Sequence, residues 1–346
     1  MVVMSPRDTT STTMAPESLP NLGIIPTVDM SAPAGRGELA RRLVRACAER
    51  GFFKAVNHGV PASVSGRLDA AASGFFARPA PEKQAAGPPD PLGYGSRNIG
   101  AHGDVGELEY LLLHADPGAV ARRAKTIDAE DPSRFSEAVN EYVDAVRRLA
   151  CRVLDLLGEG LGLRDPTSLS RFISAVDSDS LLRINHYPPS GNGGSKGSTA
   201  IGFGEHTDPQ ILSVLRANDI DGLQVLLPDG RGGDDDWVQV PADPSAFFIN
   251  VGDLLQALTN GRLVSIRHRV IASTTKPRLS AVYFAAPPLN AWISALSETV
   301  IPATPRRYRP FTWAEYKKAM YALRLSHNRL DLFHDNDDVG EDGNDQ

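Results

Sequence analysis

Leu181-Leu182-Arg183-Ile184-Asn185-His186-Tyr187 is the first of seven short apolar runs that fill residues 181 to 286 and decide the fold. The others lie at 211–216, 222–227, 237–240, 246–251, 264–272 and 279–286, separated by Gly, Pro, Asp and Asn. Runs of this length suit strands better than helices, and many short strands with such turns predict a sandwich or barrel. Gly191-Asn192-Gly193-Gly194 and Asp229-Gly230-Arg231-Gly232-Gly233 read as exposed hairpin loops. Neither is followed by the Lys-Ser/Thr and helix of a phosphate-binding loop.

Two iron-type ligands sit where one strand ends. In Gly202-Phe203-Gly204-Glu205-His206-Thr207-Asp208-Pro209 the glycines and Pro209 mark a strand turning into a loop, which brings His206 and Asp208 to a common side. His268 follows about sixty residues later in Ser265-Ile266-Arg267-His268-Arg269-Val270. Period-two alternation there puts Ile266, His268 and Val270 on one face and Arg267 and Arg269 on the other. Two imidazoles and one carboxylate form the ligand set of an open-faced iron(II) site, leaving three positions for a bidentate 2-oxo acid and dioxygen.

An inward histidine alone reads as a hydrogen-bonded core residue; the next strand changes that reading. In Pro277-Arg278-Leu279-Ser280-Ala281-Val282-Tyr283-Phe284, alternation places Arg278, Ser280, Val282 and Phe284 on one face. A guanidinium and a hydroxyl beside Val and Phe inside a barrel are costly unless an anion completes them. The dicarboxylate 2-oxoglutarate supplies that anion, with Arg278 bidentate to its distal carboxylate and Ser280 adding a hydrogen bond. Ligands drawn from separated strands favour a double-stranded β-helix. The fold class expected is α+β, mainly β: a jelly-roll core with a helical N-terminal region and a C-terminal helix packed around it.

These segments resemble the plant 2-oxoglutarate and iron(II)-dependent dioxygenases. The resemblance runs through Arg50-Gly51-Phe52-Phe53-Lys54-Ala55-Val56-Asn57-His58-Gly59-Val60, Arg183-Ile184-Asn185-His186-Tyr187-Pro188-Pro189, both iron segments, Asn250-Val251-Gly252-Asp253, Thr259-Asn260-Gly261 and Arg278-Leu279-Ser280. It implies that His206, Asp208 and His268 hold Fe(II) as the catalytic centre and that Tyr187 joins Arg278 and Ser280 on 2-oxoglutarate. It further implies O2 as co-substrate and ascorbate as a stimulant. A narrower block, Gly93-Tyr94-Gly95-Ser96-Arg97-Asn98-Ile99-Gly100 with Gly103-Asp104-Val105-Gly106-Glu107-Leu108-Glu109-Tyr110-Leu111-Leu112-Leu113, is similar to gibberellin 2-oxidases acting on nineteen-carbon gibberellins. Leu263-Val264 departs from that group, standing in place of an aromatic and a lysine.

The resemblance implies a gibberellin as small-molecule substrate, hydroxylated at carbon 2 on the beta face and so inactivated. Arg97, Tyr110, Asn185 and Phe284 are the candidate substrate contacts, with Arg97, in a glycine-flanked loop, as partner for the substrate carboxylate. Within the same chemistry the alternatives are a gibberellin 3-oxidase or a flavonoid or auxin oxidase. Outside it stands a non-catalytic metal- or hormone-binding jelly roll, which has no use for a buried, unpaired Arg278. His186, facing away from Tyr187, reads as structural, His58 as a turn residue, and His102 and His114 as surface residues.

Around the barrel, Leu39, Leu43 and Cys47 recur at helical spacing, with Gly51 as C-cap before a strand at 52–56. The Pro- and Gly-rich stretch from Arg78 to Gly106 is expected to break regular structure. From Asp131-Pro132 a long helix runs to about Leu157, burying Phe135, Val139, Tyr142, Val146, Leu149, Val153 and Leu156. Thr312-Trp313-Ala314-Glu315 is a capping box opening a helix with Trp313, Tyr316, Met320 and Leu323 on one side. Either it covers the barrel or it closes the substrate entrance, lending Lys317 or Lys318. The expected divisions are a disordered leader at 1–20, an N-terminal region at 21–130, a buttressing helix and connector at 131–175, the jelly roll at 176–290, a C-terminal helix region at 291–330 and an acidic disordered tail at 331–346.

The formal charge of −6 comes from the end of the chain, because residues 335–346 hold six acids and no Lys or Arg. The rest is near neutral and lacks a basic stripe, which argues against nucleic-acid binding. No stretch is long enough to span a membrane, and the start lacks a secretory apolar run. Cys47 and Cys151, each in a helix-like aliphatic stretch, read as two buried free thiols. A cytoplasmic location is expected, the nucleus being left open; oligomeric state is not legible.

Overall fold

The computed structural model describes residues 25–88, 92–98, 104–190, 200–227, 236–323, 325 and 329–335. In chain order these form β1 (Thr27–Asp29), α1 (Arg36–Glu49), β2 (Phe52–Val56), α2 (Ala62–Phe76), α3 (Ala80–Gln84), β3 (Gly93–Asn98), β4 (Val105–His114), α4 (Pro117–Ile127), α5 (Pro132–Leu161), α6 (Arg171–Ser174), β5 (Leu181–Tyr187), β6 (Ile201–His206) and β7 (Leu212–Ala217). They continue with β8 (Leu223–Leu227), β9 (Asp236–Gln239), β10 (Phe247–Val251), α7 (Asp253–Leu258), β11 (His268–Ile271), β12 (Arg278–Ala285), β13 (Trp292–Ile293), β14 (Phe311–Thr312) and α8 (Trp313–Tyr321).

Eight strands make the large sheet, ordered β1-β2-β10-β7-β12-β5-β4-β3, and four make the small one, β6-β11-β8-β9. Only the β1–β2 pairing is parallel among these ladders. Phe52, Leu215, Phe248 and Val282 of the large sheet pack against Leu223, Val225 and Leu227 of the small one, closing the sandwich. The second face of the large sheet packs on the helices through Leu182, Ile184, Val214, Ile249 and Tyr283. This is the expected jelly roll with a helical N-terminal region, and α8 packs onto it through Trp313, Tyr316 and Met320.

The buttress is α5. Asp131 accepts the Arg134 amide at 3.0 Å as N-cap, and Pro132 occupies the first turn, where its missing N–H costs nothing. All seven residues expected on its inner side are buried, each large aliphatic contributing about 1.5–3 kcal/mol. The helix runs one turn past Leu157 and ends at left-handed Gly162. Gly158 and Gly160 do not stop it because they serve packing. A Cβ on Gly158 would lie 2.2 Å from the Pro166 carbonyl oxygen, and one on Gly160 2.6 Å from that of Ala40.

Residues 78–106 are more regular than expected, since they contain α3 and β3. Gly95 in β3 stands opposite Tyr110 in β4, and a Cβ there would come within 2.4 Å of the Tyr110 ring, so this glycine permits close approach within a strand. Leu323, expected on the buried side of α8, lies beyond the helix and is exposed. Order also passes the boundary expected at 331, because Arg329–Phe333 form a 3₁₀ turn with Leu330 and Phe333 buried. Cys47 is buried, its thiol pushed up to about 12 by burial, whereas Cys151 is only half-buried; both are free. The leader, both hairpin loops, His102 and the tail from 336 lie outside the described residues. Among the described residues no helix is long and apolar enough to cross a membrane.

Candidate metal centre and its pocket

Cross-strand pairing assembles the centre. His206 ends β6 and stands directly opposite His268, the first residue of β11, with ring centroids 4.3 Å apart. Asp208 follows in the loop, its Oδ1 3.6 Å from His206 Nε2 and 3.7 Å from His268 Nε2. Candidate ligand atoms of the three residues all lie within 4.8 Å of one another. The alternation read from the sequence holds: Ile266, His268 and Val270 are buried, while Arg267 turns outward to Glu205, and Arg269 to Gln224 and the Trp237 ring.

Local bonds set the ionisation and the tautomers. His206 Nδ1 lies 2.7 Å from the Gly204 carbonyl and His268 Nδ1 3.1 Å from that of Ile266, so each Nδ1–H donates and each Nε2 lone pair is left for a cation. Burial, with the facing His268, pushes His206 down to about 3, keeping the imidazole neutral. Burial works to raise Asp208, but its interactions with His268, His206, Ser213 and Asn250 together outweigh it and hold the carboxyl below its ordinary range. Two neutral nitrogens and one carboxylate on one side suit iron(II) with open positions.

The loop carrying Asp208 is held from behind. The Asp253 amide donates to the Asp208 carbonyl at 2.8 Å, and the Gly252 amide to that of Ile211 at 3.1 Å. Asp253 Oδ2 accepts the Tyr316 hydroxyl at 2.7 Å and the Thr207 hydroxyl at 3.2 Å, while Arg329 donates to the Thr207 carbonyl at 2.5 Å. A Cβ on Gly252 would meet the Gln210 carbonyl oxygen at 2.0 Å. Gly252→Ala is therefore expected to displace the ligand loop, lowering stability by about 1–3 kcal/mol in urea denaturation and weakening iron binding in the same preparation.

The pocket beside the centre is lined by Tyr187, Asn185 and Arg183 of β5, Phe203 of β6, Leu215, Leu223 and Val270, and Arg278, Ser280, Val282 and Phe284 of β12. β5 and β12 pair so that Arg278 faces Tyr187, Ser280 faces Asn185 and Val282 faces Arg183. Arg278 is 2 % exposed, yet its Nε and Nη1 meet no acceptor among the described residues. A buried guanidinium with orphaned donors, beside the Ser280 hydroxyl and 5.3 Å from the Tyr187 ring, fits the distal carboxylate of 2-oxoglutarate.

Of the candidate substrate contacts, Asn185 and Phe284 line the pocket, and Tyr110 packs behind it beneath Arg183. Arg97 does not reach the pocket. It occupies a bulge where the β3–β4 register shifts, with φ +62°, and its exposed side chain pairs with Glu107 at 3.4 Å. Period two along Leu181–Tyr187 is the signal that puts Arg183 on the Tyr187 face. Arg329 left none. His186 is structural, bonded to Glu109 at 2.9 Å and stacked on Phe76. His58 contacts the Ser245 carbonyl in its turn, and half-buried His114 accepts the Asp116 amide. Lys317 is engaged with Asp179 at 2.6 Å, which favours α8 as a cover. The departure at Leu263-Val264 lies against α1, where Val264 bonds the Cys47 carbonyl.

Jelly roll, His-Asp-His cluster and orphaned arginine together define an iron(II)- and 2-oxoglutarate-dependent oxygenase, an enzyme class with O2 as further co-substrate. Residues 178–287 match the 2OG-Fe(II) oxygenase superfamily, and residues 25–124 match the N-terminal region described as that of a non-haem dioxygenase in morphine synthesis. A rice (Oryza sativa subsp. japonica) protein, gibberellin 2-beta-dioxygenase 2, is 72% identical over 324 residues, covering 91% of this chain and 88% of that protein. Among solved structures, the rice dioxygenase for auxin oxidation is 30% identical with TM-score 0.73, covering 90% of this chain and 100% of that one. JOX2 in complex with 2OG, Fe and JA is 27% identical with TM-score 0.78, covering 90% and 89%. The chain belongs to the gibberellin 2-beta-dioxygenase family.

Proposed function

We propose that this enzyme hydroxylates gibberellins at carbon 2 on the beta face, with nineteen-carbon gibberellins as substrates and inactivation of the hormone as the result. The observation that carries the chemistry is the His-Asp-His cluster sharing one pocket with the orphaned Arg278. The substrate follows from the likeness to a gibberellin 2-beta-dioxygenase at 72% identity, against 30% for the auxin-oxidising structure. Bound iron(II), with 2-oxoglutarate and dioxygen, supplies an oxidant for C–H hydroxylation while the 2-oxo acid becomes succinate and carbon dioxide.

The protein's part is binding, orientation and exclusion of water. His206, Asp208 and His268 hold the metal, and the Gly204 and Ile266 carbonyls keep both imidazoles turned toward it. Arg278, Ser280 and Tyr187 receive 2-oxoglutarate. Phe203, Leu215, Leu223, Val270, Val282 and Phe284 give the hydrocarbon skeleton an apolar wall. We place the enzyme in the cytoplasm, with a small molecule as its partner.

An anaerobically iron-loaded assay with 2-oxoglutarate and nineteen-carbon gibberellins tests this, following succinate and hydroxylated product by mass spectrometry with His206→Ala as blank. Coupled formation of succinate and a 2-hydroxy gibberellin is expected. Succinate without that product removes the substrate assignment and retains the oxygenase.

A further inference from the structure

The pocket contains a second arginine that co-substrate binding does not use. Arg183 stands on the same face of β5 as Tyr187, four residues away, which is about 13 Å along a strand. Three rungs of the β5–β12 ladder thus cross the pocket: Tyr187 with Arg278, Asn185 with Ser280, and Arg183 with Val282, the last continued by Leu215 of β7. 2-Oxoglutarate, five carbons joined by bonds of about 1.5 Å, spans about 5 Å. Held by Arg278, it ends well short of the third rung.

Arg183 is also fixed in place. Its Nε donates to Asn185 Oδ1 at 2.7 Å, and its guanidinium carbon lies 3.9 Å from the Tyr110 ring centroid and 5.0 Å from that of Phe203. Phe203 in turn packs on His206, with ring centroids 4.5 Å apart, so one ring separates Arg183 from a metal-ligand side chain. Its Nη2 is buried and meets no acceptor among the described residues. Two aromatic contacts and one amide orient the guanidinium plane and leave one edge for an anion.

We propose that Arg183 binds the carboxylate of the organic substrate, the role that sequence reasoning gave to Arg97. The inference rests on the reading that the substrate is a gibberellin, a carboxylic acid on an apolar ring skeleton. The two arginines divide two acids: Arg278 takes the distal carboxylate of the 2-oxo acid, and Arg183 takes the substrate. Val282 and Leu215, in the rung of Arg183, place apolar surface beside that carboxylate.

Calorimetric binding of a nineteen-carbon gibberellin and of its methyl ester to the anaerobic enzyme loaded with iron(II) and 2-oxoglutarate tests this without turnover. The wild type is expected to prefer the acid by roughly 10- to 100-fold, the value of a charge-assisted hydrogen bond. Arg183→Met is expected to abolish that preference while leaving ester affinity, 2-oxoglutarate affinity and the melting temperature nearly unchanged, and Arg183→Lys to keep part of it. Retention of the full acid preference in Arg183→Met overturns the assignment and leaves the proposed function standing, as does weakened 2-oxoglutarate binding with the acid preference intact. Wild-type protein that binds neither gibberellin form, yet binds 2-oxoglutarate, overturns the substrate reading and this inference with it.

Discussion

Asp208→Ala is expected to release the metal and abolish turnover. Asp208 is the only carboxylate of the cluster, and its surroundings hold it in the ionised form despite burial. Removing it leaves two nitrogens from paired strands, a set with no charge to offset the cation's. Loss of outer-shell partners alone costs 10- to 100-fold in affinity or activity, by rough rule, so loss of a ligand is expected to exceed that. Metal content after anaerobic iron loading and desalting checks it: about one equivalent in the wild type and none in the variant, with the fold intact by circular dichroism. A variant that keeps its iron and its succinate production would remove Asp208 from the ligand set.

Arg278→Met is expected to raise the dissociation constant for 2-oxoglutarate by roughly 100-fold, about 3 kcal/mol at the strong end for a charge-assisted bond. The guanidinium is buried with two nitrogens lacking acceptors, so the protein alone does not compensate its charge. Burial accordingly pulls its pKa below the ordinary arginine value. An apolar replacement of similar length removes an unpaired buried cation, an exchange that is neutral or stabilising in a protein without its anion. Two melting curves separate the roles. Without 2-oxoglutarate the variant melts at or above the wild type; with it, the wild type gains stability by ligand linkage and the variant does not. A variant that melts well below the wild type in both conditions would make Arg278 a structural residue.

These residues were legible because metal ligation and strand alternation leave marks in sequence. His206, Asp208 and His268 have ligand chemistry, and period two placed His268, Arg278 and Ser280 inward before any fold was known. Glycine marks positions that tertiary contact, and not local pattern, decides. Gly95, Gly158 and Gly160 lie inside regular elements because another group approaches too closely for a Cβ, a fact about tertiary neighbours that no local pattern carries. Arg97 looked eligible in a glycine-flanked segment, but the β3–β4 bulge turns it to solvent. Arg329 reaches the Thr207 carbonyl across 122 residues of chain and has no local signal.

β2 and β4 leave the ribosome long before the strands that stand between them, for β10, β7, β12 and β5 all come from residues 181 to 285. Until Tyr187 has been made β4 keeps an open edge that other chains can join, and until Val251 has been made β2 keeps one. Arg329, which secures the loop between the first two metal ligands, is made later still. A nascent chain therefore carries all three ligands before it has the residue that steadies them, and the arrival of Arg329 sets the moment at which the metal site becomes rigid.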